Sequence, residues 1–332
     1  MQHDKILLAH GGGGILTREL IETIIVPAFG TDPRGLPDAA PVPGTADIML
    51  TTDSFVVKPL FFPGGDIGSL SIHGTVNDLA VSGAKPLAIA LSLIIEEGLE
   101  VETLRRVVTS AARAARECGV AVVTGDTKVV ARREADGLFI TTAGVGIRRI
   151  TTDPRTITPG DAVILSGPIA EHGIAVMSKR EGIDFKTQFE SDSASVWPLV
   201  ESLIESGAAV RVMRDPTRGG LAAALMELAA DGNITVQLRE DAIPIEEGVA
   251  AACEMLGLDP LTVANEGKLV VFVSKRDAER TVAVLRTIAT GQRAAIIGSV
   301  VPAGPVPVTI ETRFGSVRAV DMPYGEELPR IC

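Results

Sequence analysis

The chain reads as short apolar blocks set between polar turns, in two alternating series. In the first series KILLA reads as a strand running into a glycine loop. ILTRELIETIIVPAF then has helical spacing, with Leu16, Leu20 and Ile24 on one face beside Ile21 and Ile25. DPRGLPDAAPVPG is a Pro/Gly loop. ADIMLTTDSFVV predicts a strand, GSLSIHGTVNDLAVSGA a helix and PLAIALSLII a strand. VETLRRVVTSAARAARECG predicts an amphipathic helix ended by Gly119, and AVVTGDTKVV and LFITTAGVGI predict two further strands. Prolines and Thr-rich turns in RRITTDPRTITPGD mark a boundary, after which AVILSGPIA restarts the alternation. The pattern predicts an α/β and α+β protein with a first domain over 1–150 and a second over 151–312. Residues 313–332 have little apolar periodicity and predict a mobile tail.

Composition narrows the function classes. The 332 residues are 46% hydrophobic, enough for two cores, and the mean hydropathy is +0.30. No apolar run approaches the roughly 20 residues that span a bilayer, so no membrane segment is expected. The start of the chain lacks the pattern of a secretory signal, which predicts a cytoplasmic protein. The net charge is −11 and aromatic residues make up 3%, which disfavours nucleic-acid binding. An acidic enzyme that handles phosphates needs a divalent cation, so the carboxylates are worth following.

Several motifs carry candidate chemistry, each with a plainer alternative. His10 and Gly11, Gly12, Gly13 and Gly14 join a strand to a helix, where backbone N–H groups can wrap an anion. The loop is neither GxGxxG nor a Walker loop, and a structural turn is the alternative. Asp53 is expected to end a strand, Asn77 and Asp78 interrupt an apolar helix, and Asp126 follows a strand two residues before Lys128. These are hard oxygen ligands with one cation, suited to Mg²⁺ and phosphate, although a lone Asp at a strand end often caps a helix. Asp215 and Thr217 precede a Gly-Gly helix start, and Glu266 and Lys268 flank Gly267 before a strand. Cys118 and Cys253 lie in helical patterns and read as small core residues. Cys332 is the last residue, on a polar, Pro-flanked tail that offers it no packing role. It is also in the wrong place for CaaX prenylation.

Taken together, HGGGG, TTDSFVVKPLFFPGGDIGSLSIHGTVNDLAVSGAKP, VVTGDTKVV, MRDPTRGGL, NEGKL and the terminal PRIC resemble the HypE family of hydrogenase maturation factors over essentially the whole chain. The resemblance implies an aminoimidazole ribonucleotide synthetase-like (PurM-like) two-domain fold that dimerises through the sheet of the first domain. It implies that a partner, HypF, places a carbamoyl group on Cys332. ATP with Mg²⁺ then drives dehydration of this thiocarboxamide to a thiocyanate, and the HypC–HypD complex accepts the cyanide for the iron of the [NiFe] centre. Asp53, Asp78 and Asp126 match the family's metal and nucleotide positions. Lys128 and Glu266 match residues of charge stabilisation and deprotonation. Asn77 and Gly11 to Gly14 are expected to help hold the nucleotide. The tail is expected to swing, since an arm of about 15 residues reaches on the order of 50 Å. Two alternatives remain: a carrier that only presents Cys332, and another kinase or synthetase of the superfamily. Within the second, selenophosphate synthetase is disfavoured, because it typically carries a reactive Cys or Sec near the N-terminal glycine region and the first cysteine here is Cys118.

Overall fold

A computed structural model of the chain describes residues 7, 14–25, 38–42, 44, 47–182, 189–322, 328 and 330–332. The first half begins with α1 (Ile15–Leu20), which continues as a π turn over Ile21–Ile25. Strands β1 (Ala40–Pro41), β2 (Ile48–Phe55), β3 (Phe61–Phe62) and β4 (Gly65–Asp66) follow. Then come α2 (Ile67–Val81), β5 (Ala84–Glu96), α3 (Val101–Glu117), β6 (Ala121–Val130) and β7 (Leu138–Arg148). The main sheet has the order β1-β2-β7-β5-β6, and only β5 and β6 run parallel. In β2 the period-two pattern buries Met49, Thr51 and Phe55 against α2 and leaves Leu50, Thr52 and Ser54 exposed. Asp53 was expected at the end of its strand. It lies inside β2, because the ladder to β7 continues through Phe55. Asp126 likewise lies inside β6, whose pairing with β5 runs on to Val130.

α2 is buried around almost its whole circumference, polar residues included, rather than amphipathic. Its start is fixed by Asp66. The Asp66 carboxylate accepts from the Gly68 and Ser69 amides at 2.8 and 3.1 Å, and Ser69 Oγ accepts from the Asp66 amide at 3.2 Å. Such a reciprocal cap contributes about 1 kcal/mol. Gly68 allows α3 to pack close, since a Cβ there meets the Val107 carbonyl oxygen at 2.2 Å. α3 buries Val107, Ser110, Ala111, Ala114 and Ala115 and exposes its charged face. Both helices cover one face of the sheet.

The second half comprises β8 (Ala162–Leu165), α4 (Glu171–Glu181), α5 (Trp197–Ser206) and β9 (Val210–Arg214), then α6 (Gly220–Gly232), β10 (Ile234–Arg239) and α7 (Glu247–Leu256). It ends with β11 (Val270–Val273), α8 (Ala278–Leu285), β12 (Ala295–Pro302), β13 (Val308–Glu311) and β14 (Val317–Ala319). They build a seven-stranded sheet of order β14-β13-β10-β12-β8-β11-β9, parallel only between β10 and β13. Residues 313–332 were expected to form a wholly mobile tail. Instead β14 pairs with β13 and extends this sheet, and the last residues dock back on the protein.

The halves share their cores. Ile72, Val76 and Ala80 of α2 pack with Leu199 and Val200 of α5 and Val271 of β11. Phe55, Val57 and Leu70 pack with Ile174, Val263, Leu328 and Ile331. α2 therefore lies between the two units and can place side chains into the cleft that joins them. Among the described residues no helix is long and apolar enough to cross a membrane.

Candidate functional site

Three carboxylates meet beside the last turn of α2. Asp38, Asp78 and Asp215 each direct an oxygen to a point where the three lie within 4.8 Å of one another. Asp38 comes from the loop before β1, Asp78 from α2 and Asp215 from the end of β9. Thr51 Oγ1 lies 2.7 Å from Asp78 Oδ2 and 2.8 Å from the Asp38 carbonyl oxygen. Arg214 Nη1 donates to Asp38 Oδ1 at 2.7 Å. Burial, and then the charges of Asp215, Asp38 and Asp53, push the Asp78 carboxyl well above its ordinary range. Burial followed by the charge of Asp38 pushes Asp215 up to about 7. Three anions this close cannot all ionise in a dry site without a counter-charge. Hard oxygens from three elements fit a divalent cation such as Mg²⁺, which binds through a few carboxylates and completes its shell with water or phosphate. Asp53 lies next to this group on the face of β2 toward α2, where its carboxyl is raised by burial and held down by Arg218.

Glu266 occupies the far wall and is 3% exposed. Burial pushes its carboxyl well above the usual range, helped by Asp53, Asp215 and Asp192, with Arg218 opposing. Its backbone is clamped. Asp192 accepts from the Glu266 and Gly267 amides at 3.1 and 3.2 Å, and Lys268 Nζ lies 3.5 Å from Asp192 and 2.9 Å from Glu171. Gly267 must be glycine, because a Cβ there meets the Asp192 carbonyl oxygen at 1.9 Å. Asn77 supplies the rest of the clamp. Its Nδ2 donates to the carbonyls of Ala194 and Glu266 at 3.0 and 3.2 Å, and its Oδ1 accepts from the Val196 amide at 2.8 Å. Asn77 was expected to help hold the nucleotide, and in this geometry it contacts backbone of the second domain. Its amide is engaged with backbone, so it joins the two domains and seats Glu266.

The end of the chain enters this cleft. The Cys332 carbonyl accepts from the Val56 amide at 3.1 Å, and the Arg330 carbonyl from the Lys58 amide at 3.1 Å. Ile331 is buried in the shared core. Arg218 is charge-coupled to several parts of the arrangement. Its guanidinium is held charged first by the negative charge that Cys332 can carry, and further by Asp53, Glu266 and Asp78.

Other sequence candidates lie elsewhere. Asp126 and Lys128 are paired at 2.7 Å on the exposed strand β6, with side chains 60% and 68% exposed. The hydrogen bond from Lys128 holds the Asp126 carboxyl below the ordinary range. The row Asp53, Thr142, Leu91, Gly125 crosses the sheet, so Asp126 lies about three strand spacings, or roughly 14 Å, from Asp53. The structure therefore brings Asp53, Asp78, Glu266 and Cys332 together within one chain and leaves Asp126 and Lys128 outside. Gly14 caps α1 in an extended conformation, while Gly11, Gly12 and Gly13 lie outside the described residues. Sequence reasoning missed Asp38, hidden in a Pro/Gly loop, and Arg218, which sits inside the quoted MRDPTRGGL. A cleft of about 830 Å³ is lined by Arg18, Ala39, Arg148, Asp153, Arg155 and Asp231 among others, with Ala39 next in sequence to Asp38.

Comparison with known proteins decides the family. The model of the AIR synthase related protein N-terminal domain matches residues 37–148, and that of the C-terminal domain matches 158–311. Carbamoyl dehydratase HypE of Cupriavidus necator is 49% identical over 333 residues, spanning 99% of this chain and 95% of that protein. The chain belongs to the HypE family. Carbamoyl dehydratase HypE of Rhizobium leguminosarum bv. viciae is 50% identical over 334 residues, with the same coverage. A crystal structure of HypE in complex with ATP matches at 43% identity and a TM-score of 0.84, covering 99% of this chain and 100% of that one. One of a HypE–HypF complex matches at 46% identity and a TM-score of 0.87, covering 92% and 99%. Thiamine monophosphate kinase of Aquifex aeolicus shares the fold alone, at 18% identity and a TM-score of 0.65.

Proposed function

We infer that the chain is an ATP-dependent carbamoyl dehydratase that acts on its own terminal cysteine during hydrogenase maturation. The observation that carries this reading is the docking of the chain's end on Val56 and Lys58, just beyond the strand that carries Asp53, with Arg218 charge-coupled to Cys332, Asp53, Glu266 and Asp78. A HypF-type partner loads the thiol, giving Cys–S–C(=O)–NH₂. The carbonyl oxygen takes the terminal phosphoryl group of ATP and leaves as phosphate, while both N–H protons are lost and the C≡N bond closes. Thiocarboxamide and ATP thus give thiocyanate, ADP and phosphate. Glu266 takes an N–H proton: a carboxylate whose affinity for protons has been raised by burial is a stronger base than an ordinary one. Arg218 offsets negative charge on the oxygen. Asp38, Asp78 and Asp215, with Asp53 nearby, would hold Mg²⁺, which would supply counter-charge to the phosphates. The arginine-lined cleft accommodates the nucleotide. The HypC–HypD complex is the cyanide acceptor in this reading, and the setting is cytoplasmic.

The test of this reading is Cys332→Ala. The variant is expected to bind MgATP normally and to accept no carbamoyl group by intact mass. Carbamoyl acceptance elsewhere on the chain overturns the reading. The carrier alternative predicts a loaded thiol that never loses water.

A homodimer belongs to the same proposal. Among the described residues one face of the five-stranded sheet carries no helix, and β6 is exposed along nine of its ten residues, with Val123 and Val129 66% and 68% exposed. A long apolar edge strand invites pairing with another chain. A second copy packed along this exposed strand also covers Asp126 and Lys128, which gives these two residues a role at the subunit boundary. Light scattering at micromolar concentration is expected to give the mass of a dimer, and Val123→Lys with Val129→Lys the mass of a monomer. A monomeric native protein contradicts this assignment.

A further inference from the structure

The helix α4 addresses the docked end of the chain with both of its ends. His172, in its first turn, is fully buried. Its Nε2 lies 2.7 Å from the Ile331 carbonyl oxygen and its Nδ1 lies 2.7 Å from Ser191 Oγ. A carbonyl can only accept, so Nε2 carries the hydrogen, and Nδ1 of the neutral ring accepts from the Ser191 hydroxyl. Burial lowers the pKa of His172, consistent with a neutral ring. Phe62 meets the ring edge-on at 5.4 Å and fixes its plane. One helix length away, Arg180 donates through Nη2 to the Arg330 carbonyl at 2.6 Å and through Nε to the Lys58 carbonyl at 2.8 Å.

The other side of His172 leads to the base. Ser191 Oγ accepts from the Ser193 amide at 3.0 Å, and the Ser191 amide donates to the Pro63 carbonyl at 2.8 Å. Between these serines stands Asp192, which holds the Glu266 and Gly267 amides. A continuous hydrogen-bonded line therefore runs from the Ile331 carbonyl through His172 to the loop that seats Glu266. When the tail leaves, the Nε2–H loses its partner in a dry pocket, so the docked and undocked states differ in the satisfaction of one buried polar group.

We propose that His172 is a positioning residue that reads the backbone of the docked tail and couples tail docking to the placement of Glu266, with Arg180 setting the register one residue earlier. The contacts are to main-chain carbonyls, so they fix how far the chain enters and hence where the sulfur of Cys332 lies. This proposal rests on the reading that Cys332 carries the reacting group.

The test uses the full chain and its carbamoylating partner, with His172→Ala, His172→Gln and Arg180→Ala. Loss of one buried hydrogen bond is expected to slow single-turnover dehydration roughly five- to thirtyfold. Carbamoyl loading and MgATP affinity are expected to hold, and the melting temperature is expected to hold in Arg180→Ala and to fall in His172→Ala, where a buried side chain is lost. Amide exchange is expected to quicken at Val56 and Lys58, the donors to the Cys332 and Arg330 carbonyls. His172→Gln, which keeps an N–H donor, is expected to recover part of the rate. Normal dehydration in both Ala variants overturns the proposal, as does unchanged exchange at Val56 and Lys58. If His172→Ala does not fold, the surface variant Arg180→Ala decides by the same two readouts. Failure of the unmodified chain to form nitrile sinks the dehydratase reading instead, while exchange at Val56 and Lys58 still judges the docking contact.

Discussion

Replacing Glu266 by glutamine is expected to leave a protein that accepts the carbamoyl group at the normal rate and then stops. The amide has nearly the shape of the carboxylate but cannot take a proton, and general-base catalysis typically contributes about 10²–10⁴ in rate. Nitrile formation in a single turnover is expected to fall by that factor. The fold is expected to survive, because residue 266 is held through its backbone by Asp192 and Asn77 rather than through its carboxyl. The substitution also removes a buried charge repelled by Asp53, Asp215 and Asp192. Mass spectrometry of the C-terminal peptide at timed intervals makes the measurement. Normal nitrile formation assigns the base elsewhere.

Asp78→Asn is expected to separate stability from function. Asp78 and Asp215 carry raised pKa values in the folded, metal-free protein. Between the ordinary carboxylate range and about pH 7 the folded state therefore binds more protons than the unfolded chain. Stability from these groups is full in acid and is lost as pH rises toward 7. Removing one of the anions relieves that repulsion at neutral pH. Each kcal/mol regained raises the melting temperature of a protein this size by roughly 2–4 °C or less. The same change deletes a cation ligand, and MgATP affinity is expected to fall at least about 100-fold, beyond the usual cost of an outer-shell partner. Native binding of MgATP is also expected to weaken below pH 7 and to release protons, because cation and proton compete for the same oxygens. Calorimetry in buffers of different ionisation enthalpy reads the release. Unchanged MgATP affinity in folded Asp78→Asn contradicts the site.

Most elements were legible because they have strong periodicity: β2, α2, β5, α3 and β6 lie where the apolar spacing puts them. Asp78 was legible too, as a charge in an otherwise apolar helix. Asn77 beside it has a different role because its partners, Ala194, Val196 and Glu266, are more than a hundred residues away, and no local pattern reports such a contact. Asp38 follows Gly35 and Pro37 in a loop whose composition explains it as a turn. Arg218 is inconspicuous until the fold puts Cys332, Asp53 and Glu266 around it. His172 has no signal at all in AEHGIAV, since its meaning depends on a carbonyl 159 positions later. The tail was misread over Val317–Ala319 because a three-residue strand is too short to show alternation. Its docked end is held by backbone carbonyls, by the Arg330 side chain on Asp136 and Val56, and by burial of Ile331, all with partners far away in the chain that local patterns do not report.

The most direct test of the account is the mass of the C-terminal peptide after incubation with the carbamoylating partner, with and without MgATP. Without nucleotide the account predicts a stable carbamoyl adduct on Cys332. With MgATP it predicts the same adduct less one molecule of water, with one ADP formed per nitrile. A carbamoyl adduct that persists unchanged in the presence of MgATP would show that the chain carries the group without dehydrating it.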